Sequence, residues 1–152
     1  MSIIRVNTEQ IEQICTHAKN TYPEECCGLL LGRIEDRDKF LTEIRQTENS
    51  WDAQITEYLP ITPGDKRDRF IIDPKVMLPI QKEARDRNLT IIGIYHSHPD
   101  HSAIPSEHDR AIAWQQYSYI IVSVQQGRIA DLRSWTLDEA HQFQAEEIVT
   151  TS

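Results

Sequence analysis

The sequence predicts a single α/β domain with helices packed on a mixed central β-sheet, and three observations support this fold class. Two continuous apolar runs, TIIGIY at 90–95 and YIIVSV at 119–124, have the β-branched composition of central strands that are covered on both faces. Segments with helical spacing alternate with these strands. The chain has 152 residues, the length of one domain, without an internal repeat or a low-complexity segment, so we assign 1–152 to one domain.

The first part of the chain is predicted to form a helix followed by a β-hairpin. Asn7 and Gln10 have the spacing of a capping box, and the apolar residues after them recur at helical spacing, which predicts a helix over 8–19. CCGLLLGRI at 26–34 is typical of a buried strand, while FLTEIRQ at 40–46 alternates as a half-exposed strand does. The polar segment between them is expected to close the hairpin.

The middle of the chain is predicted to contain a long loop and a second helix. Residues 48–68 hold two prolines, a Pro-Gly step and no regular period, which indicates a surface loop. RFIID at 69–73 is predicted to be a short strand. Asp73 can then cap a helix with Pro74 at its first position, and this helix should end near Asn88. The residues predicted to form its inner face are Val76, Met77, Ile80 and Ala84.

The second half of the chain completes the predicted sheet. SEHDRAIAWQQ at 106–116 has the Ala, Ile and Trp spacing of a helix between the two central strands. Gly127 is predicted to make a turn into a further strand, RIADLRSWTL at 128–137. The polar C-terminal segment 138–152 fits an edge strand, a helix or a fraying tail.

Composition and charge argue against several classes of function. The chain carries 16 basic and 24 acidic residues, a net charge of −8, so a nucleic acid or an anionic membrane is not expected as a partner. No stretch approaches the roughly 20 apolar residues of a membrane span, and the N-terminus lacks a secretory pattern. We therefore expect a cytoplasmic protein. Its three cysteines, Cys15, Cys26 and Cys27, are expected to be reduced and packed as small apolar groups.

Metal-capable side chains are concentrated directly after the first central strand. His96 and His98 are two residues apart, so a strand places both imidazoles on one face while Ser97 points away. The carboxylate of Asp109 can return to the same point if a helix begins near Ser106. Two histidines and one carboxylate leave a fourth position for water, which is the arrangement of a catalytic zinc site.

Each part of this pattern also has a simpler interpretation. A His-x-His pair can be two polar side chains at an exposed strand end. Ser106 and Asp109 also form a capping pattern for the following helix. His101 and His108 are interpreted as solvated loop residues rather than as ligands.

The complete pattern resembles a known signature. HSHPDHSAIPSEHD at 96–109 resembles the JAMM motif of the MPN-domain metalloproteases, and specifically their compact prokaryotic branch. That motif also requires an upstream glutamate in a Glu-x-x-Gly segment followed by leucines and a glycine, and this chain has ECCGLLLG at 25–32. The resemblance covers most of residues 10–136, with a motif core over 22–136. It implies a single MPN domain with a cytidine-deaminase-like architecture.

The resemblance also implies a site and a reaction. One Zn²⁺ per chain would be held by His96, His98 and Asp109, with Glu25 as general base and then general acid. Ser106 would donate a hydrogen bond to the oxyanion. The reaction would be hydrolysis of a peptide or isopeptide bond after the C-terminal Gly-Gly of a ubiquitin-like or sulfur-carrier protein. Periodicity alone leaves Glu24 as an alternative base, and the family spacing selects Glu25.

Substrate contacts and competing functions remain open from the sequence. Trp51 or Tyr58 in the 48–68 loop is expected to touch the substrate tail, although either ring can instead pack back on the domain. That tail is expected to bind extended along a groove beside the metal, as in strand addition. The alternatives are an MPN scaffold without activity, a non-haem iron enzyme, which also uses two histidines and a carboxylate, and a zinc deaminase, whose Cys-x-x-Cys ligands this chain lacks. A homodimer is a further option, as is a regulatory role of Cys26 or Cys27.

Overall fold

The computed structural model describes residues 2–52 and 64–151. Its elements, in chain order, are β1 (Ile3–Asn7), α1 (Thr8–Thr21), β2 (Cys27–Glu35), β3 (Asp38–Thr47), α2 (Pro74–Asp86), β4 (Thr90–Pro99), α3 (Glu107–Ile112), β5 (Ser118–Gln125), β6 (Arg128–Leu137) and β7 (Phe143–Thr151). None of the described helices is long and apolar enough to cross a membrane.

The strands form one mixed sheet that closes into a barrel in the order β1-β3-β2-β4-β5-β6-β7. β2 and β3 make the predicted antiparallel hairpin. β4 lies between β2 and β5; it is antiparallel to β2 and parallel to β5. The prediction that these runs are strands covered on both faces is confirmed, since nearly every residue of β4 and β5 is buried. Closure depends on β1, which pairs in parallel with both β3 and β7. No strand was predicted over Ile3–Asn7, so closure of the sheet was not predicted.

Side-chain alternation along β2 and β4 divides the core into two layers. Leu30 and Tyr95 lie on the face covered by α1. This helix packs against strands on both sides of the closed sheet, from β1 and β3 to β5 and β6, so it occupies the concave side. Leu29 and Ile94 lie on the opposite face, where α2 packs. Side chains continue to alternate after Tyr95, so His96 and His98 both point to the face on which α2 packs.

The helix starts follow the predicted capping signals. Asn7 and Gln10 form a reciprocal capping box at α1, with N···O distances of 2.7 and 2.9 Å. The Asp73 carboxylate accepts a hydrogen bond from the Lys75 N–H at the start of α2, where Pro74 is the first helical residue. Ala84, Met77 and Ile80 pack inward as predicted. The prediction for Val76 was wrong, because this side chain is 38% exposed.

The predicted strand at 69–73 is not present, although Phe70 and Ile72 are buried as strand alternation suggests. The Asn49 side chain takes the place of a strand ladder: its amide donates to the Arg69 carbonyl at 2.8 Å, and its oxygen accepts from the Ile71 N–H at 3.2 Å. One side chain thus satisfies backbone groups that a neighbouring strand would otherwise bind.

Two further predictions are settled near the C-terminus. The helix predicted over 106–116 ends at Ile112, because Ala113 adopts an extended conformation. Of the three options for the C-terminal segment, a strand is observed, β7, but it is not an edge strand because it pairs with both β6 and β1. Gly127 makes the predicted turn with a φ of +82°. The loop prediction for 48–68 holds for the described residues 48–52 and 64–68, which form neither helix nor strand.

Candidate metal centre and active site

β4 places two imidazoles side by side at the C-terminal end of a central strand. His96 and His98 are both buried and share one face. Ser97 points to the opposite face as predicted, where its Oγ accepts a hydrogen bond from the Cys26 N–H at 2.8 Å. This contact joins β4 to the start of β2 next to the two histidines.

Asp109 returns to the histidines from the first turn of α3. Its Oδ2 lies 3.0 Å from His98 Nε2, its Oδ1 lies 3.3 Å from His96 Nε2, and the two Nε2 atoms are 3.2 Å apart. Ligands held tetrahedrally at the usual Zn–N and Zn–O distances are separated by about 3.3 Å. Three donor atoms that already have these separations fit a single small metal ion.

Hydrogen bonds and a stacked ring fix the orientation of the three candidate metal-binding side chains. The Nδ1–H of His98 donates to the Ser102 carbonyl at 2.8 Å, which leaves the Nε2 lone pair free for a metal. The Ser106 N–H donates to Asp109 Oδ2 at 2.8 Å. The Phe70 ring stacks on His96 with centroids 4.4 Å apart and planes 23° apart. All three donors are therefore held before any ion binds.

Glu25 is a buried carboxylate two residues before β2. Cys27 pairs with His96 in the sheet register, so Glu25 lies beside the end of β4 that carries the histidines. Its backbone N–H donates to the Lys66 carbonyl at 2.6 Å, and its carbonyl accepts from Asn49 Nδ2 at 3.2 Å. Its Oε1 has no hydrogen-bond partner among the described residues, which is expected where a water or a ligand binds.

The charges of the site are strongly coupled. Burial raises the pKa of Glu25 well above its usual range, and the carboxylate of Asp109 adds to this effect. Burial also disfavours ionisation of Asp109, but the two imidazoles outweigh it and hold the pKa of Asp109 well below its usual range. Burial lowers the pKa of His96, which favours the neutral ring, the state that binds metal.

Ser106 caps α3 and faces the same region. Its Oγ accepts from the Asp109 N–H at 3.1 Å, which completes a capping box. The hydroxyl proton is not used in that contact and is free to donate. The capping and the functional interpretations of Ser106 are thus compatible.

The structure separates the other histidines of the motif. His101 is exposed as predicted. The prediction for His108 was wrong: it is 5% exposed, and its Nε2–H donates to the Phe70 carbonyl at 3.3 Å. The sequence did not predict that Phe70, Ser102 and Asn49 support the site. Apolar alternation within RFIID pointed to a buried Phe70, but nothing in the sequence indicated its stacking on a metal-binding ring.

The aromatic residues predicted to touch substrate have different outcomes. Trp51 packs back on the domain with 5% of its surface exposed, where its indole N–H donates to the Gly64 carbonyl and its ring meets His108 edge-on. Its contact with substrate stays a prediction. Tyr58 lies outside the described residues.

The paired cysteines are buried free thiols, as predicted. Burial raises the pKa of Cys26 to about 12 and that of Cys27 to about 11, so neither is a thiolate at neutral pH. Cys27 contacts the Thr47 hydroxyl and the Glu48 carbonyl, both at 3.5 Å.

Glu24, the alternative base, is exposed, whereas its neighbour Glu25 is buried.

Comparisons with known proteins find relatives and solved structures that are similar to most of the chain. A desampylase from Haloferax volcanii is 28% identical over 135 residues, covering 84% of this chain and 84% of the relative. A CysO-cysteine peptidase from Mycobacterium tuberculosis is 23% identical over 138 residues, covering 89% of this chain and 83% of the relative. The solution structure of a Desulfitobacterium hafniense protein has a TM-score of 0.79 and 26% identity, covering 98% of this chain and 93% of that one.

The family match includes both separated segments of the candidate site. Residues 7–138 match the family described as prokaryotic homologs of the JAB domain. That range contains Glu25 as well as the segment 96–109. The chain therefore belongs to the prokaryotic JAB-domain family.

Proposed function

We propose that this chain is a zinc-dependent peptidase or isopeptidase that hydrolyses the bond after the C-terminal Gly-Gly of a ubiquitin-like or sulfur-carrier protein. The observation that carries the proposal is the convergence of three buried donors from β4 and α3 on one point, with the buried carboxylate of Glu25 beside them. Relatives named desampylase and CysO-cysteine peptidase support hydrolysis of such conjugates.

In this proposal His96, His98 and Asp109 hold the metal. Two histidines and one carboxylate with a fourth open position are typical of hydrolytic zinc sites. Bound zinc supplies Lewis acidity, which makes water an effective nucleophile near neutral pH. The Ser102 carbonyl keeps His98 in the tautomer whose Nε2 lone pair would be available to the ion.

Glu25 is the proposed proton carrier. Because burial raises its pKa, its carboxylate accepts a proton from the attacking water more readily than an exposed glutamate does. The same proton then passes to the leaving amine, which departs neutral. Oε1 is free for this role, since no described residue binds it.

Ser106 is the proposed donor to the developing oxyanion. Its Oγ is fixed by the Asp109 N–H, so its O–H is held in place without being consumed. A donor fixed in this way stabilises the transition state, and no free energy is spent on reorienting the donor during the reaction.

Several finer features stay predictions. They are a cytoplasmic location, a homodimer, a cytidine-deaminase-like architecture and a contact between substrate and Trp51 or Tyr58. A scaffold without activity is the competing function, and ferrous iron is the competing metal.

The test uses purified chain, elemental analysis and a sulfur carrier extended by several residues beyond Gly-Gly. We expect about one zinc per chain and metal-dependent cleavage after Gly-Gly. Glu25→Gln should keep its zinc and lose roughly 100-fold or more in kcat. The matched control is Glu24→Gln, the exposed neighbour, which should behave as wild type.

Three outcomes would contradict the proposal. Wild type purified without chelator that carries no metal and cleaves no carrier supports a scaffold. Stoichiometric iron supports the iron enzyme. A fully active Glu25→Gln variant moves the proton transfer to another group.

A further inference from the structure

The loop at 100–105, which joins β4 to α3, is held by side chains of two strands that carry no candidate metal ligand. The Ser123 hydroxyl of β5 donates to the His101 carbonyl at 2.5 Å. The Trp135 indole N–H of β6 donates to the Ala103 carbonyl at 3.0 Å. Ser123 and Ala103 are both buried, so water does not readily replace either contact.

The carbonyl between these two is the one that orients a candidate ligand. The Ser102 carbonyl accepts the hydrogen bond from His98 Nδ1–H at 2.8 Å. Peptide groups are planar, and each is joined to the next only through the two soft dihedral angles of one residue. Fixing the carbonyls of residues 101 and 103 therefore limits rotation of the peptide group that carries the Ser102 carbonyl.

The sheet register explains how the two side chains reach the loop. Ser123 lies beside His98 in the β4–β5 pair, and Trp135 lies beside Tyr119 in the β5–β6 pair. Side chains of paired residues share one face of a sheet. Tyr119 packs on the α2 face, to which His98 also points. Ser123 and Trp135 thus project from the same face as the candidate ligands, and the loop lies across both strands.

The first residue of the loop has a separate anchor. The Asp100 N–H donates to the Val124 carbonyl at 2.7 Å. Its carboxylate accepts from the Tyr22 hydroxyl at 2.7 Å and from the Gln126 N–H at 2.8 Å. The loop start is therefore held without Ser123 or Trp135, and these two side chains act on the peptide groups that flank the Ser102 carbonyl.

We propose that Ser123 and Trp135 are positioning residues of the metal site, which keep the Ser102 carbonyl on His98 Nδ1 and so raise the affinity of the site for zinc. The inference rests on the proposed function and extends it to β5 and β6. Loss of a hydrogen-bond partner of a ligating histidine costs roughly 10–100-fold in metal affinity or activity. Ser123 and Trp135 act one contact further out, so the lower end of this range is expected.

The first experiment measures the zinc dissociation constant of the purified full chain by competition with a chromogenic chelator. Trp135→Phe keeps an aromatic ring but lacks the indole N–H, and its dissociation constant should rise by about tenfold. With zinc saturating, its kcat on a sulfur carrier extended beyond Gly-Gly should stay within about twofold of wild type, because Glu25 and Ser106 are unchanged. Trp114→Phe is the matched control, since the Trp114 side chain is 62% exposed, and it should bind zinc as wild type does.

The second variant removes the other donor. Ser123→Ala should also raise the zinc dissociation constant by about tenfold. Ser134→Ala is its control: Ser134 is another buried serine, on β6, and its hydroxyl donates to Glu146 Oε1 at 2.7 Å. Both substitutions remove a buried hydrogen bond and should lower the free energy of unfolding, but only Ser123→Ala should change zinc binding.

The third measurement observes the positioned hydrogen bond directly. In zinc-loaded wild type labelled with ¹⁵N-histidine, the proton on His98 Nδ1 should exchange slowly with water, because the Ser102 carbonyl holds it. In zinc-loaded Trp135→Phe and Ser123→Ala this exchange should be faster by about tenfold or more. A role in stability alone would not change this exchange selectively, so Ser134→Ala should retain the wild-type rate.

The outcomes separate this inference from the proposed function. If wild type binds zinc and cleaves the carrier but either variant has an unchanged dissociation constant, the assignment of that residue is wrong and the proposed function stands. Weaker zinc binding with unchanged exchange at His98 Nδ1, or an equal loss of affinity in Ser134→Ala, also overturns the assignment. If wild type binds no zinc, the proposed function fails and the positioning role fails with it.

Discussion

Gly28 is the residue at which the upstream motif meets the strand that carries the histidines. It lies opposite Tyr95 in the β2–β4 register, and a Cβ at position 28 would be 2.3 Å from Tyr95 Cε1 and 2.4 Å from Cζ. The ring cannot move away easily, because it is fully buried and its hydroxyl is hydrogen-bonded to His17 Nδ1 at 2.7 Å. The glycine in ECCG therefore serves the packing of Tyr95, the neighbour of His96.

Gly28→Ala should destabilise the fold by about 1–3 kcal/mol, because the added methyl overpacks a core that has no space for it. Chemical denaturation measures the loss. The same substitution in a Tyr95→Leu background should cost clearly less, since the clashing ring is gone. An equal cost in both backgrounds would mean that the strain arises elsewhere, for example in the hairpin.

α3 shows how one short element supports both folding and chemistry. Its capping box uses the carboxylate of Asp109, and the same Oδ2 atom that accepts from the Ser106 N–H lies 3.0 Å from His98 Nε2. The sequence presented capping and metal binding as alternatives, whereas the structure places one carboxylate where it caps the helix and also lies within reach of a metal held by the two histidines. The helix start is thus what brings Asp109 to the histidines.

Ser106 variants should separate these two roles. Glycine at an N-cap costs only a few tenths of a kcal/mol, so Ser106→Gly should stay folded and keep its zinc. It lacks the hydroxyl donor, so kcat should fall by roughly 100-fold. Ser106→Thr retains both the cap and the donor and serves as the control. Unchanged turnover by Ser106→Gly would assign the hydroxyl to capping alone.

Over the whole molecule, the sequence predicted those helices and strands whose formation depends on residues close together in the chain. Capping patterns located α1 and α2, and apolar runs located the central strands. Closure of the barrel depends instead on pairs such as Ile3 with Glu147, which are distant in sequence and leave no local signal in a five-residue strand. The strand predicted at 69–73 failed for the same reason, since Asn49, twenty residues upstream, decides its backbone hydrogen bonds.

The functional site shows the same contrast between local motifs, which were predicted, and contacts with distant parts of the chain, which were not. A specific motif predicted the five residues Glu25, His96, His98, Ser106 and Asp109, and the structure brings the three metal-binding candidates together. Their support could not be predicted, because the partners of these residues are backbone carbonyls and rings whose positions depend on the fold. The Ser102 carbonyl and the Phe70 ring are examples.

If the proposed site is correct, zinc should stabilise the whole domain, because the proposed ligands come from two elements, β4 and α3, that are held together only in the folded protein. At free zinc about 100-fold above its dissociation constant, binding adds roughly 2.7 kcal/mol. For a chain of this size that corresponds to a rise in Tm of roughly 5–10 °C. Differential scanning calorimetry with and without chelator measures the shift. His98→Ala, which lacks one ligand, should show no zinc-dependent shift.

The stabilisation by zinc should decrease in acid, and His98 determines the direction. Burial lowers its pKa, but hydrogen bonds to Asp109 and to the Ser102 carbonyl outweigh burial, so the pKa of His98 in the metal-free protein is raised above its usual 6.5. The metal-free fold therefore gains stability from protonated His98 below pH 6.5, and this gain is lost as the pH rises through the raised pKa. Zinc needs the neutral ring, so protons compete with the metal. The difference in Tm between zinc-loaded and metal-free protein should thus be large near pH 7.5 and small near about pH 5.5. A difference that stays constant over this range would place the bound zinc on groups other than these imidazoles.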